Sequence, residues 1–597
     1  MHTARLEGQM AVFRTDTMIA EVGGGILTRL FNRITGTEYL ECASTVPRGD
    51  MVTGMVYATP GIATGSGPNV VGPTPSTAGS QTLVPQVTGL TEFRLVSARE
   101  SKDGIEFAFE STGHDTHLAL IYDLDPETGD LLVRQRGIGS RRGVMGVRLG
   151  LGPVTCRGNL LLPAFNGIKA NRGEFSYQFE SPRWDWPSGW QLALLIFQDP
   201  AGGMWVHSED AEGRFKTLDY CYAGGGTWYV ALDTVNAAPF PSHDRVDGVA
   251  WRINVYKGDW SVPIRRYKQW AYGAYEMKGK EKSHPRWVRD IRLVIRGADK
   301  YPDEEIKRVL DALGRYVDPA KTLLFLENWT EDQSDTPVIP HWVAGQRGIR
   351  FNREARTRGF RTIYFSNYHG ITPNHPRIEE FKAYVVRNPL TGDLEGWNLK
   401  GEWSDLTPIK LYYVSPACKA WRDYQVGMFK TLFDAYPADG LFLDQSYLVF
   451  NDGNGLVDGQ TCLEGNLAFH RELLEAIPGI ALGGESIQEI TFQYQALTEL
   501  HYLSIQMSKD QRGKDEWLID PAAFDRMVPL VPAFLDPFTR PIGYLGFPPT
   551  ESSFYPGWRD SVRAYQGIPT LRQPQLHELE DPESEVRRLF LEAMASE

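Results

Sequence analysis

At 597 residues the chain is too long for one hydrophobic core, so two or more domains are expected. A hydrophobic fraction of 42% with 23% charged residues excludes overall disorder. A net charge of −13 excludes a basic nucleic-acid footprint, and the absence of any run of about 20 apolar residues excludes a transmembrane helix.

The opening Met1–His2–Thr3–Ala4–Arg5–Leu6–Glu7 lacks the apolar core of a signal peptide. Cys42, Cys156, Cys221, Cys418 and Cys462 are odd in number and scattered, which suits neither a disulfide framework nor a zinc knuckle. Together these features predict a cytoplasmic protein without nucleic-acid or membrane partners. Homo-oligomer formation stays open.

From residue 8 to about 270 the chain reads as strands and turns. Met10–Val12–Arg14, Ile26–Phe31 and Tyr39–Leu40 come first. Phe93–Val96, Ile105–Phe109, Leu118–Tyr122, Gln191–Phe197 and Thr227–Leu232 follow. Two packed antiparallel sheets, a large β-sandwich over 1–270, are the natural architecture. Residues 51–89 hold no Asp, Glu, Lys or Arg and are dense in Gly, Pro, Ser and Thr. They read as a long excursion between strands. Residues 271–284 read as a linker.

Beyond 285 strand-like and helix-like runs alternate. Ile291–Ile295, Leu323–Leu326, Thr362–Phe365, Gly440–Leu443 and Ile480–Gly483 are the clear strands. Tyr502–Ile505, Leu530–Phe534 and Ile542–Leu545 are weaker ones. Amphipathic runs lie between them. Ile306, Val309, Leu310 and Leu313 share one face, as do Trp421, Tyr424, Met428, Leu432 and Phe433. Eight strands with interleaved helices over 285–597 match a (β/α)8 barrel, with an open doubly wound sheet as runner-up. No dinucleotide fingerprint or Walker loop is present, so no cofactor is expected. No metal is expected either: His341 and His369 fall in no tight ligand spacing.

In a barrel the chemistry sits where strands end at the C-terminal face. Asp444 is the first charge after Gly440–Leu443, and Glu485 follows Gly483–Gly484. An Asp and a Glu on neighbouring strands can face each other across the mouth, which fits retaining glycoside hydrolysis. Asp444 would be the nucleophile. Glu485, with a raised pKa, would be the acid/base. Their carboxyl groups would lie about 5–5.5 Å apart. Glu327, Trp329, Asn367, Tyr368, His369, Tyr447 and Asp536 lie at or near strand ends and Trp403 in the long loop segment 370–416; all are candidate sugar contacts. Trp342 and Trp397 are further candidate ring platforms.

Leu441–Phe442–Leu443–Asp444 followed by Gly483–Gly484–Glu485 resembles the fourth- and fifth-strand signatures of retaining α-glycosidases. The likeness is to the endo-α-N-acetylgalactosaminidase and α-N-acetylgalactosaminidase group, and more distantly to the α-amylase superfamily. Gly24–Leu27, Arg33–Tyr39, Tyr412–Pro416 and Trp421–Tyr424 resemble other segments of that group. The resemblance implies a β-sandwich before a barrel, an Asp nucleophile after strand four and a Glu acid/base after strand five. The substrate would be an oligosaccharide or glycoside with an α-linked galactosyl, N-acetylgalactosaminyl or glucosyl residue. Phe442 stands where the α-amylase pattern has an Arg, two residues before the nucleophile. A transglycosidase, or a noncatalytic carbohydrate-binding protein, would use the same scaffold.

Overall fold

The computed structural model describes residues 2–40, 51–62, 81–111, 115–170, 172, 183–280, 283–332, 334, 337–398, 410–501, 503, 505–509, 515–519, 525–544 and 555–595. It divides into two compact units. The first comprises Met1–Tyr275 with Arg387–Asp393 and Phe450–Gly455. The second holds the rest.

The first unit is built from antiparallel sheets. A five-stranded meander runs from Thr3 to Leu40, and two larger sheets of ten and six strands follow. The expected strands are there, most of them longer than the sequence suggested. The charge-free segment corrects the reading of 51–89 as an excursion. Gly54–Ile62 pairs antiparallel with Gln81–Gly89, and the first of these strands also pairs with Val144–Thr155, while 63–80 lie outside the described residues. Alternation within these strands needs no charge when a neighbour covers each face. The expected linker is also corrected, because residues 271–274 complete the helix Ser261–Ala274.

The second unit is an eight-stranded parallel barrel. Its strands are β1 (Leu293–Arg296), β2 (Thr322–Leu326), β3 (Arg361–Asn367) and β4 (Gly440–Asp444). Next come β5 (Ala481–Gly484), β6 (Leu497–Glu499), β7 (Arg540–Ile542) and β8 (Thr570–Arg572). From β1 to β7 each pairs in parallel with the next, and β8 returns to β1. Between β7 and β8 a single parallel bridge, Ile542 to Ile568, narrows the gap. Helices α1 (Ile306–Tyr316), α2 (Gln346–Thr357), α3 (Lys419–Ala435) and α4 (Cys462–Ala476) follow the first four strands.

The last three strands differ from the sequence reading. Leu530–Phe534 is helical, within Leu530–Leu535. Its Pro532 falls in the first turn, where a missing N–H costs no hydrogen bond. The sixth strand lies earlier, at Leu497–Glu499. The run read as the eighth strand begins at the end of the seventh, and the eighth was not recognised. Helix α3 is also rotated: Gln425 and Phe429 are buried where Tyr424 and Met428 were expected. Gln425 accepts a hydrogen bond from Trp342 Nε1 at 2.7 Å.

The barrel interior is filled by Val294, Leu323, Phe325, Ile363, Phe442, Ala481, Leu497 and Ile542, with Phe365 against them. Side chains two apart on a strand share a face. The next inward position on successive strands is therefore Arg296, Glu327, Asn367, Asp444, Glu485, Glu499 and Tyr544. The apolar packing thus ends in a layer of polar side chains at the C-terminal mouth.

Candidate active site

Asp444 ends β4 and Glu485 directly follows β5. Gly484 lets β5 lie close to its neighbours, since a Cβ there would stand 2.4 Å from both Gln495 Oε1 and Ser446 Oγ. At Gly483 a Cβ would meet the Phe442 ring at 2.7 Å. The glycines thus make room for side chains of the barrel itself. The residues after the two carboxylates, Gln445 and Ser486, both take left-handed backbone, with φ of 57° and 62°. For non-glycine residues such geometry costs roughly 1–3 kcal/mol and clusters at functional sites. Here the turn brings the Gln445 N–H onto Glu485 Oε2 at 3.0 Å.

Asp444 and Glu485 stand on neighbouring strand ends, and the proton preference of each depends on the other. That preference reverses the expectation. Burial, then the Glu485 charge, pushes Asp444 well above the usual carboxylate range, and the Asn367 amide only partly offsets them. Burial pushes Glu485 up as well, but the His501 charge and hydrogen bond, the Gln445 N–H and the Asp444 acid outweigh it and hold Glu485 low. The pair therefore keeps its proton on Asp444. Asn367 Nδ2 donates to Asp444 Oδ2 at 3.2 Å and to Gln445 Oε1 at 2.8 Å.

A second polar cluster adjoins the pair. Arg296 donates to Glu327 at 2.5 Å and also to Glu499. Its guanidinium lies 4.7 Å from the Phe325 centroid and 4.9 Å from that of Phe365. Lys300 approaches the other Glu327 oxygen at 3.2 Å. Burial raises Glu327, yet the charges of Arg296 and Lys300 win and keep it ionised. Asp299 accepts the N–H groups of Glu327 and Asn328 at 3.0 and 2.8 Å, fixing the end of β2.

A cavity of about 300 Å³ opens against Asp444, at the low end for small-molecule sites. Glu327, Asp332, Asn367 and Gln445 give it polar walls. Val338, Ile339, Leu411, Trp342 and the half-buried Trp397 give it apolar ones. Glu327 and Asn367 thus share one cavity with Asp444. Trp329 touches it too, but is 1% exposed and donates through Nε1 to Phe365 O at 2.9 Å.

Other candidates lie elsewhere. Tyr368 is buried, stacked on Phe469 of α4 at 4.7 Å, and its hydroxyl accepts from Asn466. It is a packing residue, not an open platform. His369 is fully buried, and burial pushes its imidazole down to about 3. Tyr447 packs on His501 at 4.8 Å, beside the carboxylates. Asp536 is exposed after the helix Leu530–Leu535 and precedes β7, at the opposite face from the mouth. Its selection followed from taking that helix for the seventh strand. Trp403 lies outside the described residues. Arg296, Glu499, His501 and Tyr544 were missed. Extending the inward period of two past each apolar run would have found them, given the correct last three strands.

Among the described residues, one group has metal-ligating spacing: Asp130, His207 and Glu209 of the first unit. Its acids already face arginines. Asp130 is bonded by Arg266 and Arg252, and Glu209 lies 3.0 Å from Arg252. No helix among the described residues is long and apolar enough to cross a membrane.

A family model described as "Domain of unknown function (DUF6259)" matches residues 249–452, which includes β1 to β4 and Asp444 but not Glu485. No curated protein sequence matches the chain. Solved structures do resemble it. The α-N-acetylgalactosaminidase NagBb from Bifidobacterium bifidum, in complex with GalNAc, aligns over 99% of this chain and 93% of its own, at 11% identity and a TM-score of 0.62. The galactosidase domain of the α-galactosidase–sucrose kinase AgaSK aligns over 99% and 85%, at 9% identity and a TM-score of 0.52. The GH36 α-galactosidase AgaA from Geobacillus stearothermophilus aligns over 100% and 86%, at 9% identity and a TM-score of 0.50. The chain shares the fold of these α-glycosidases over nearly its whole length.

Proposed function

We propose that the protein is a retaining α-glycosidase acting on α-linked galactosyl, N-acetylgalactosaminyl or glucosyl groups. One observation carries this reading: two half-buried carboxyl groups stand at neighbouring strand ends of the barrel mouth, Glu485 held by the Gln445 N–H and Asp444 by Asn367, with Asp444 on the wall of a sugar-sized cavity. The fold shared with an α-N-acetylgalactosaminidase and α-galactosidases supports it.

A retaining pair needs one proton between two carboxyl groups, and a raised Asp444 beside a lowered Glu485 suits that. On sugar entry the proton passes to Glu485. Glu485 then protonates the glycosidic oxygen while Asp444 attacks the anomeric carbon. The C–O bond to the leaving group breaks and an Asp444 ester forms. Water next gives a proton to Glu485 and its hydroxide oxygen attacks the same carbon, which frees Asp444 and the sugar. Asn367 would hold Asp444 in line, and Arg296 would offset the negative charge of Glu327 and Glu499.

The test is a screen of aryl α- and β-glycosides with the wild-type protein, Asp444→Asn and Glu485→Gln. Cleavage of an α-glycoside with the α-anomer released first is the expected result, with losses of at least a hundredfold in both variants. Unchanged activity in either variant removes that residue from its role. A second reading exchanges the two roles, and the proton's preference for Asp444 favours it. Azide rescue separates the readings. The glycine variant at the nucleophile yields a glycosyl azide of inverted configuration, and the variant at the acid/base yields one of retained configuration.

A further inference from the structure

The Glu485 carboxylate is enclosed from several strand ends. Its Oε2 accepts the Gln445 N–H, and its Oε1 faces His501 Nε2 at 3.1 Å and the Tyr544 hydroxyl at 3.4 Å. His501 is 2% exposed. Its ring is held between Tyr447 and Tyr544, each centroid 4.8 Å away. The other titratable groups nearby are Asp444 on β4, Glu499 on β6 and Tyr413, whose hydroxyl is raised by burial and by the two carboxylates. Arg296 directs its donors to Glu327 and Glu499. His501 is therefore the basic side chain that meets Glu485 directly.

Resting on the reading of Glu485 as the acid/base, we propose that His501 is a positioning residue that fixes the Glu485 carboxylate and sets the pH at which it takes up its proton. A positive charge within about 4–6 Å of a carboxylate lowers its titration by 1–3 units. Glu485 must be an acid in the first half-reaction and a carboxylate in the second. His501 favours the second state, readying Glu485 to take a proton from water, and it lowers the pH above which the first half-reaction fails. The two tyrosine rings keep the imidazole from turning away.

The first experiment is a titration of the full chain labelled with 13Cδ-glutamate, with the Glu485 signal assigned by its loss in Glu485→Gln. The Glu485 midpoint should rise by at least one unit in His501→Gln, a tenfold gain in proton affinity. An unmoved midpoint overturns the proposal. This readout needs no turnover, so it fails or succeeds separately from the glycosidase assignment. The second experiment uses whichever aryl glycoside is cleaved. In His501→Gln the alkaline limb of kcat/KM should move up by at least one unit with a melting temperature near that of the wild type. A lower rate with an unmoved limb would make His501 merely structural and overturn the proposal.

Discussion

Asn367 serves both carboxyl chemistry and loop geometry. Its Nδ2 reaches Asp444 and Gln445, and its Oδ1 accepts the N–H groups of His369 and Gly370 at 3.1 and 2.9 Å. Asn367→Ala should therefore lose about 2–3 kcal/mol in urea unfolding, because buried donors are left unpaired. Asn367→Asp keeps the acceptor for the loop but sets a carboxylate against Asp444. Stability should fall less in that variant while activity falls by more than a hundredfold. If Asn367→Asp keeps its activity, the amide does not govern the Asp444 proton. Arg296 is the second residue on which the mouth depends. Arg296→Met leaves Glu499 buried without its cation and Glu327 with only Lys300, so the loss should be about 3–5 kcal/mol by chemical denaturation. Adding Glu499→Gln should recover part of it. A loss under about 1 kcal/mol for Arg296→Met would show that the guanidinium is not the neutralising charge.

At the scale of elements, the barrel was legible where apolar runs are long and bounded by charge. The first five strands were found, and with them Asp444, Glu485, Glu327 and Asn367. Strands β6 to β8 span three residues each, too short for a run of apolar residues to stand out from helices. The error at Leu530–Phe534 displaced Asp536 from a loop end into the candidate site and hid Glu499. Aromatic content was a poor guide for the same reason: Trp329 and Tyr368 look alike in sequence to Trp397, and only packing separates them. The close approach at β5 gives a direct test. Gly484→Ala would press its Cβ against Gln495 and Ser446, and overpacking of this kind costs about 1–3 kcal/mol. Because the shift falls next to Glu485, activity should drop by tenfold or more. Gly427 in α3 is the control: it is exposed and a Cβ there meets nothing within 4 Å. Gly427→Ala should gain about 0.5–1 kcal/mol with activity unchanged. Equal effects from the two glycines would mean that the packing around β5 does not position Glu485.

Across the whole molecule, the barrel unit carries a stability that acid should remove. Burial lowers His284 to about 4, helped by the Arg289 charge. It lowers His369 to about 3, helped by His470, and His470 itself to about 4. In the unfolded chain each imidazole takes its proton near 6.5. Below that pH the unfolded state binds more protons than the folded one, so stability is full above about 6.5 and falls as the pH drops toward 4. Asp299 works the other way. Burial raises it to about 6 against the ordinary Asp value, so its contribution grows as the pH falls from 6. Asp444, raised in the same sense, adds to the Asp299 side. At pH 4.5 three histidines at about 1.4 kcal/mol per unit outweigh Asp299, for a net loss from these four groups on the order of 5 kcal/mol. Calorimetric scans at pH 7 and 4.5 should show the barrel transition moving down by about eight degrees. In His470→Gln roughly a third of the histidine contribution disappears, so the same pH step should cost visibly less. A slope unchanged by His470→Gln would mean that His470 is already protonated in the folded chain.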